Sequence, residues 1–111
     1  MEDNPNLPRD IEVEITFLST AQGGRKSAAP NGYRSQFFYD GHGWDVIHSY
    51  QETEWAAPGQ IIRAFLSFLS PQEQVGKLHP GKAFQIREGR KVVANGVVLR
   101  ILDLEKSATR M

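Results

Sequence analysis

The strongest constraint on the fold of this chain is an alternation of apolar and polar residues in short segments separated by glycine and proline. From Ile11 to Phe17 every second residue is isoleucine, valine or phenylalanine, and the residues between them are polar. This period of two is typical of a β-strand with one buried and one solvated face. The sequence predicts a strand over residues 10–18 with an inward row formed by Ile11, Val13, Ile15 and Phe17.

Five further segments have strand character, and turn residues separate them. These strands are predicted at 34–39, 44–50, 61–69, 83–88 and 92–102. The second and third strands of the chain flank Gly41-His42-Gly43, whose glycines permit the positive φ of a hairpin turn. The last two strands are joined through Gly89, Arg90 and Lys91. Residues 71–82 hold two prolines and two glycines, so they are predicted to form a loop with at most one helical turn.

Six strands without a long helix favour a small all-β barrel or sandwich, and a barrel closes the edges of so short a sheet. At 111 residues, of which 40% are hydrophobic, the chain can build one core. Residues 1–9 lack periodicity and are predicted to form a flexible N-terminal arm. Residues 10–104 form the predicted barrel, and 105–111 a flexible C-terminal tail.

The sequence also predicts structural roles for a glycine in the last strand and for five aromatic residues. Gly96 interrupts the last strand, which indicates either a β-bulge or the close approach of another group. The core is expected to contain the aromatic side chains of Tyr33, Phe37, Tyr39, Phe65 and Phe84.

No motif for catalysis or for a cofactor is present. The chain has no cysteine, which excludes disulfides, zinc–thiolate sites and thiol catalysis. Walker, GxSxG and HExxH motifs are also absent. Asp40, His42 and His48 share strand parity but lack a third close ligand, so no metal site is predicted. We expect a protein that is not an enzyme and has no cofactor.

The net charge is zero, but its distribution is uneven. Residues 1–20 carry five acids against one base, whereas 82–111 carry seven bases against three acids. A zero total argues against bulk electrostatic capture of nucleic acid and leaves a local basic patch open. No segment is long and apolar enough to span a bilayer, and no signal peptide is recognisable. We expect a cytoplasmic protein without a membrane partner.

Three blocks carry a family resemblance: GGRKSAAPNGYRSQFFY at 23–39, the Pro58-Gly59 turn before a long apolar strand, and AFQIREGRKVVANGVV at 83–98. They resemble the third, C-terminal domain of bacterial elongation factor Tu over residues 10–102. In that family GGR, a six-residue spacer, GYR-x-QF, a PG turn and F-x-IREG follow in the same order. The resemblance implies a six-stranded antiparallel closed β-barrel that stands alone, without the GTPase domain and without nucleotide binding.

The resemblance also implies an RNA-facing surface, because the barrel of this family helps to hold the T stem of aminoacyl-tRNA. The matching positions are Gln36, Glu88 and Gly89, with Arg34 and Arg87 nearby. Amide, backbone N–H and guanidinium groups are suitable partners for RNA phosphates and 2′-hydroxyls. The family's Thr-rich loop, which contributes to tRNA binding, is replaced here by a short turn at 40–43.

A second implied surface faces proteins, since the family's barrel contacts the GTPase domain and the nucleotide exchange factor. Its positions here are Arg25, Lys26, Ala83 and Gln85. Lys26 replaces a histidine of the family, and Ala83 and Gln85 replace arginine and alanine.

Three hypotheses about function follow. The chain is a module that binds a protein partner, a tRNA-binding module, or a protein whose role is unrelated to translation. Loss of the Thr-rich loop and the neutral net charge favour the protein partner.

The absence of a P-loop motif leads to one prediction. Because the chain has no Walker motif and no carboxylate motif for Mg²⁺, it should neither bind nor hydrolyse GTP. Calorimetric titration of the chain with GTP and Mg²⁺ should give only the heat of dilution. Saturable heat would reveal a nucleotide site that no sequence motif indicates.

Overall fold

A computed structural model describes residues 7–110 of the chain, and residues 1–6 of the predicted N-terminal arm lie outside it. Short 3-10 turns occupy Thr20–Gln22 and Pro71–Glu73, the latter being the single turn predicted for residues 71–82. The other elements are β1 Ile11–Phe17, β2 Ala29–Pro30, β3 Arg34–Tyr39, β4 His42–Tyr50, β5 Trp55–Ala56, β6 Ile61–Phe68, β7 Ala83–Glu88, β8 Lys91–Ile101 and α1 Leu104–Thr109.

Six strands form a closed antiparallel barrel in the order β1-β6-β4-β3-β7-β8, with β8 returning to β1. Closure pairs Ile11 with Ile101 at one end of β1 and Phe17 with Ala94 at the other. The predicted barrel is confirmed. Strands β2 and β5 were not predicted, and they form a separate two-stranded sheet.

The inward row of β1 fills the barrel as the alternation predicts. Ile11, Val13 and Ile15 have no exposed surface, and Phe17 is 2% exposed. Four of the five aromatic residues expected in the core are there, namely Tyr33, Phe37, Tyr39 and Phe84. The prediction is wrong for Phe65, which is buried on the outer face of β6, where the Arg9 guanidinium lies 4.4 Å from its ring centroid. The rings of Phe37 and Phe84 stack with centroids 4.2 Å apart across β3 and β7. The core is therefore a continuous interior of aliphatic and aromatic side chains.

Gly96 makes a close approach to another residue and is not at a bulge. A Cβ at this position would overlap the ring of Phe84, so only glycine lets that ring lie against β8. The register shifts of β8 occur on either side, where β8 pairs with Ile86 and Arg87 of β7 and with Glu12 and Val13 of β1. Of the two readings of Gly96, close approach is correct.

The hairpin between β3 and β4 turns one residue earlier than predicted. Its two turn residues are Asp40 and Gly41, with φ of 48° and 84°. Two successive positive φ values are typical of a type I′ turn, whose twist matches that of the strands. His42 and Gly43 are therefore the first residues of β4, which begins before the predicted Trp44.

The structure differs from the predicted C-terminal tail, because residues 104–109 form helix α1. Leu104 is 2% exposed and Ser107 is 6% exposed. The Ser107 hydroxyl donates a hydrogen bond to the carboxylate of Asp10, which also accepts the Phe68 amide at 2.8 Å. Burial raises the pKa of Asp10 although these hydrogen bonds act to lower it. No helix within residues 7–110 is long and apolar enough to cross a membrane.

The two faces of β1 can be tested with one substitution on each. Val13→Asp should lower the free energy of unfolding by about 3 kcal/mol, because it buries an unpaired charge in the barrel. Thr16→Asp, on the exposed face of the same strand, should change it by less than about 0.5 kcal/mol. Urea unfolding of both variants measures the difference, and equal stabilities would contradict the assigned inward face.

Candidate nucleic-acid interface

All five residues predicted to face RNA line one open surface pocket of about 340 Å³. We call it the Gly89 pocket; its lining is Arg34, Ser35, Gln36, Asp45, Arg87, Glu88 and Gly89. Pairing of β3 with β7 places Gln36 opposite Arg87, and pairing of β3 with β4 places Gln36 opposite Asp45. Residues from two sequence blocks about fifty positions apart therefore meet at one site because their strands are neighbours.

The Glu88 carboxylate holds three segments of the chain together at the edge of this pocket. Its Oε2 atom accepts hydrogen bonds from the Arg25 guanidinium and from the Tyr33 hydroxyl. The Arg25 guanidinium lies 4.7 Å from the centroid of the Tyr33 ring and donates to the Ser27 carbonyl at 3.1 Å. Arg25, which the resemblance assigned to a protein-facing surface, is thus joined to the edge of the Gly89 pocket.

The protonation states of this cluster follow from these contacts. Burial acts to raise the pKa of Glu88, but hydrogen bonds from Tyr33 and Arg25 and the charges of Arg25 and Lys91 bring it below its usual value. Burial and the neighbouring carboxylate raise the pKa of Tyr33. Glu88 is therefore ionised and Tyr33 neutral at physiological pH, and the carboxylate charge is compensated within the protein.

A layer of polar side chains lies beneath the pocket. Ser35 lines the pocket, and its hydroxyl lies 2.8 Å from Nε2 of His48. The His48 ring is completely buried, with the Tyr33 ring against it at 4.9 Å and the Tyr50 hydroxyl 3.3 Å from Nδ1. Burial lowers the pKa of His48 to about 3, so the imidazole is neutral.

The surface around the Gly89 pocket carries more bases than acids. Five bases lie in or beside it, namely Arg25, Arg34, Arg87, Arg90 and Lys91, against the acids Asp45 and Glu88. Arg34 donates to Asp45 at 3.1 Å, but both side chains are largely exposed, so this ion pair is weak. The local excess of positive charge is invisible in a net charge of zero.

A second open pocket, of about 440 Å³, lies on the other side of Arg87. We call it the Asn95 pocket; it is lined by Phe38, Tyr39, Asp40, Ala83, Phe84, Gln85, Arg87, Asn95 and Gly96. Two of the four predicted protein-facing residues, Ala83 and Gln85, are here. Arg25 lies beside the Gly89 pocket, and Lys26 follows it on the exposed surface. The four residues therefore divide between two places.

The polar role of Tyr33 and the outward position of Phe38 were not predicted from the sequence. Inward residues Ser35, Phe37 and Tyr39 leave Phe38 on the outer face of β3, so strand parity alone could have identified it. Tyr33 was assigned only to the core. Within residues 7–110 no three histidine, aspartate or glutamate side chains are grouped to hold a metal ion.

Comparison with known protein families gives a match over most of the chain. The family model described as the elongation factor Tu C-terminal domain matches residues 7–102. The match contains both pockets and the Arg25–Glu88 pair, and it ends before helix α1.

The buried imidazole beneath the pocket predicts a loss of stability in acid. Because the pKa of His48 is about 3 in the folded chain and about 6.5 when unfolded, the unfolded chain takes up an additional proton as the pH falls below 6.5. Between pH 7 and pH 5 the wild type should lose about 2 kcal/mol more unfolding free energy than His48→Gln. Urea unfolding at both pH values measures this; equal losses would contradict a neutral buried His48.

Proposed function

The chain belongs to the elongation factor Tu C-terminal domain family, a family of non-catalytic translation-factor barrels, and on that basis we propose that it binds the phosphate backbone of tRNA through the Gly89 pocket. The observation that carries this proposal is the convergence of all five RNA-facing candidates on one pocket with an excess of basic side chains. Backbone contacts of this kind supply much of the affinity of proteins for nucleic acids.

The chemistry of the pocket suits an anionic backbone. Arg34 and Arg87 line it, while Arg90 and Lys91 follow Gly89 along the chain and are exposed. Of the two acids that line it, Asp45 accepts a hydrogen bond from Arg34 at 3.1 Å. Glu88 is already compensated by Arg25 and therefore repels an approaching phosphate less than a free carboxylate would.

Gly89 contributes through its backbone. It is the first of the two residues between β7 and β8, with φ of 61°, and a Cβ at this position would meet nothing within 4 Å. The turn is therefore open to solvent, and a phosphate or 2′-hydroxyl can approach its backbone closely.

Binding by this surface is expected to be weak and sensitive to salt. In the family this barrel is one of three domains that grip tRNA, and the Thr-rich loop that adds contacts is replaced here by the Asp40-Gly41 turn. Four phosphate contacts, one from each of Arg34, Arg87, Arg90 and Lys91, would give a log–log salt slope of about −2.8 with the single-strand coefficient or about −3.6 with that of a B-DNA-like duplex.

A protein partner is the second candidate, and the Asn95 pocket supports it. Ala83 and Gln85, which occupy positions that face the GTPase domain in the family, both line this pocket. A surface of this kind can dock a protein without any excess charge. It becomes the principal candidate if the chain fails to bind RNA.

Fluorescence anisotropy of labelled tRNA tests the RNA proposal. At about 20 mM salt, where electrostatic attraction is least screened, the chain should bind, and Arg87→Glu with Arg90→Glu should abolish binding. The matched control is Lys106→Glu with Arg110→Glu, which makes the same charge change on and beside α1 and should bind as the wild type does. Absence of wild-type binding at low salt, or equal loss in both double variants, would refute the proposal.

A further inference from the structure

Phe38 is an aromatic residue on the outer face of the barrel, and an arginine covers it. The guanidinium carbon of Arg87 lies 3.5 Å from the centroid of the Phe38 ring. Strand pairing explains this contact: Phe38 is opposite Gln85 on β7, and Arg87 is the next outward residue of that strand. The side chain of Arg87 therefore reaches diagonally from β7 to the neighbouring β3 and lies over the ring.

Gln85 fixes the orientation of this guanidinium. Its Oε1 atom accepts hydrogen bonds from Nε of Arg87 at 2.9 Å and from Nη2 at 2.6 Å. Because guanidinium N–H bonds lie in the plane of the group, one oxygen shared by two donors holds that plane in place. One edge of the guanidinium is thus held by Gln85, and one of its faces rests on Phe38.

Arg87 also separates the two pockets and lines both of them. The Asn95 pocket beside it has about 440 Å³, within the range typical of sites for small organic groups. Its outward-facing side chains include the aromatic ring of Phe38 and the amides of Gln85 and Asn95. A fixed planar cation, an aromatic wall and amide groups are the elements with which proteins hold a nucleobase.

We propose that Arg87 is a stacking platform for the base of an unpaired nucleotide, which enters the Asn95 pocket while the adjoining backbone lies in the Gly89 pocket. This inference rests on the proposed RNA-binding function and specifies its ligand as a duplex with an unpaired nucleotide at its end. Unpaired bases stack on aromatic rings and on arginine planes in many RNA-binding proteins. The positive charge of the guanidinium then attracts the phosphate, and its flat face stacks on the base.

The test compares two RNAs that differ in one base. Both are the same short hairpin with a one-nucleotide 3′ overhang, which carries adenine in one RNA and is abasic in the other, so the phosphates are identical. Anisotropy at low salt should give about tenfold tighter binding for the RNA with adenine.

Substitutions in the stacking platform should abolish the tenfold difference in affinity between the two RNAs. Arg87→Lys keeps the charge but has no planar group, so the ratio of the two dissociation constants should fall to about one; Phe38→Leu should reduce it by removing the supporting ring. The matched control is Arg100→Lys, an exposed position at the far end of β8, where the ratio should remain at about ten. Thermal melts of all variants establish that each is folded.

The outcomes separate this inference from the proposed function. If both RNAs bind equally to the wild type, or if Arg87→Lys preserves the tenfold ratio, the proposal that Arg87 stacks on a base is wrong. The proposal that the chain binds the RNA backbone then still holds. If neither RNA binds, both proposals fail, and docking of a protein partner at the Asn95 pocket becomes the principal candidate.

Discussion

Closure of the barrel by pairing of β1 with β8 is the constraint on which the rest of the structure depends. It joins residues 11–17 to 94–101 and leaves the six-stranded sheet without an open edge. The last strand achieves this with two register shifts and with Gly96, whose missing side chain makes room for the ring of Phe84. Closure also fixes β7 between β3 and β8, and this position brings the sequence blocks around Gln36 and Glu88 to one surface.

In the polar cluster at that surface, the charge of the Glu88 carboxylate is compensated by groups of the protein itself. Glu88 is bound by Arg25 and Tyr33, which are 63 and 55 residues away along the chain. The two donors fix the carboxylate and leave Arg34, Arg87, Arg90 and Lys91 to determine the sign of the local field. Zero net charge, which argued for a protein partner, thus coexists with a basic face.

Much of the fold could be predicted from the sequence, because strand alternation is a local signal. The six barrel strands and the inward row of β1 follow from it directly. The exact position of the turn between β3 and β4 does not follow from the alternation, because Gly41 and Gly43 allow two alternatives that only strand pairing resolves. Helix α1 has six residues, too few for a periodicity to be recognised, and its stability comes from Leu104 and from the hydrogen bond of Ser107 to Asp10.

The candidate site was predictable only in part. The residue blocks of the family identified five of the seven residues that line the Gly89 pocket, but no local pattern could pair Arg25 with Glu88, 63 residues further along the chain. The stack of Arg87 on Phe38 is also non-local, because it depends on the register between β3 and β7. Side-chain contacts of this kind require knowledge of which strands are neighbours.

The hydrogen bonds that join residues 9–10 to 102–103 have a practical consequence for handling the molecule. The Leu102 amide donates to the Asp10 carbonyl at 2.9 Å, and the Asp103 amide donates to the Arg9 carbonyl at 3.0 Å, so both ends of the barrel's chain leave at the same pole. The Gly89 turn lies at the opposite end of β8, roughly 30 Å away for a strand of eleven residues. The chain therefore enters and leaves the barrel at the pole opposite the Gly89 turn, and a linker or affinity tag at either terminus is joined to the barrel far from the Gly89 pocket.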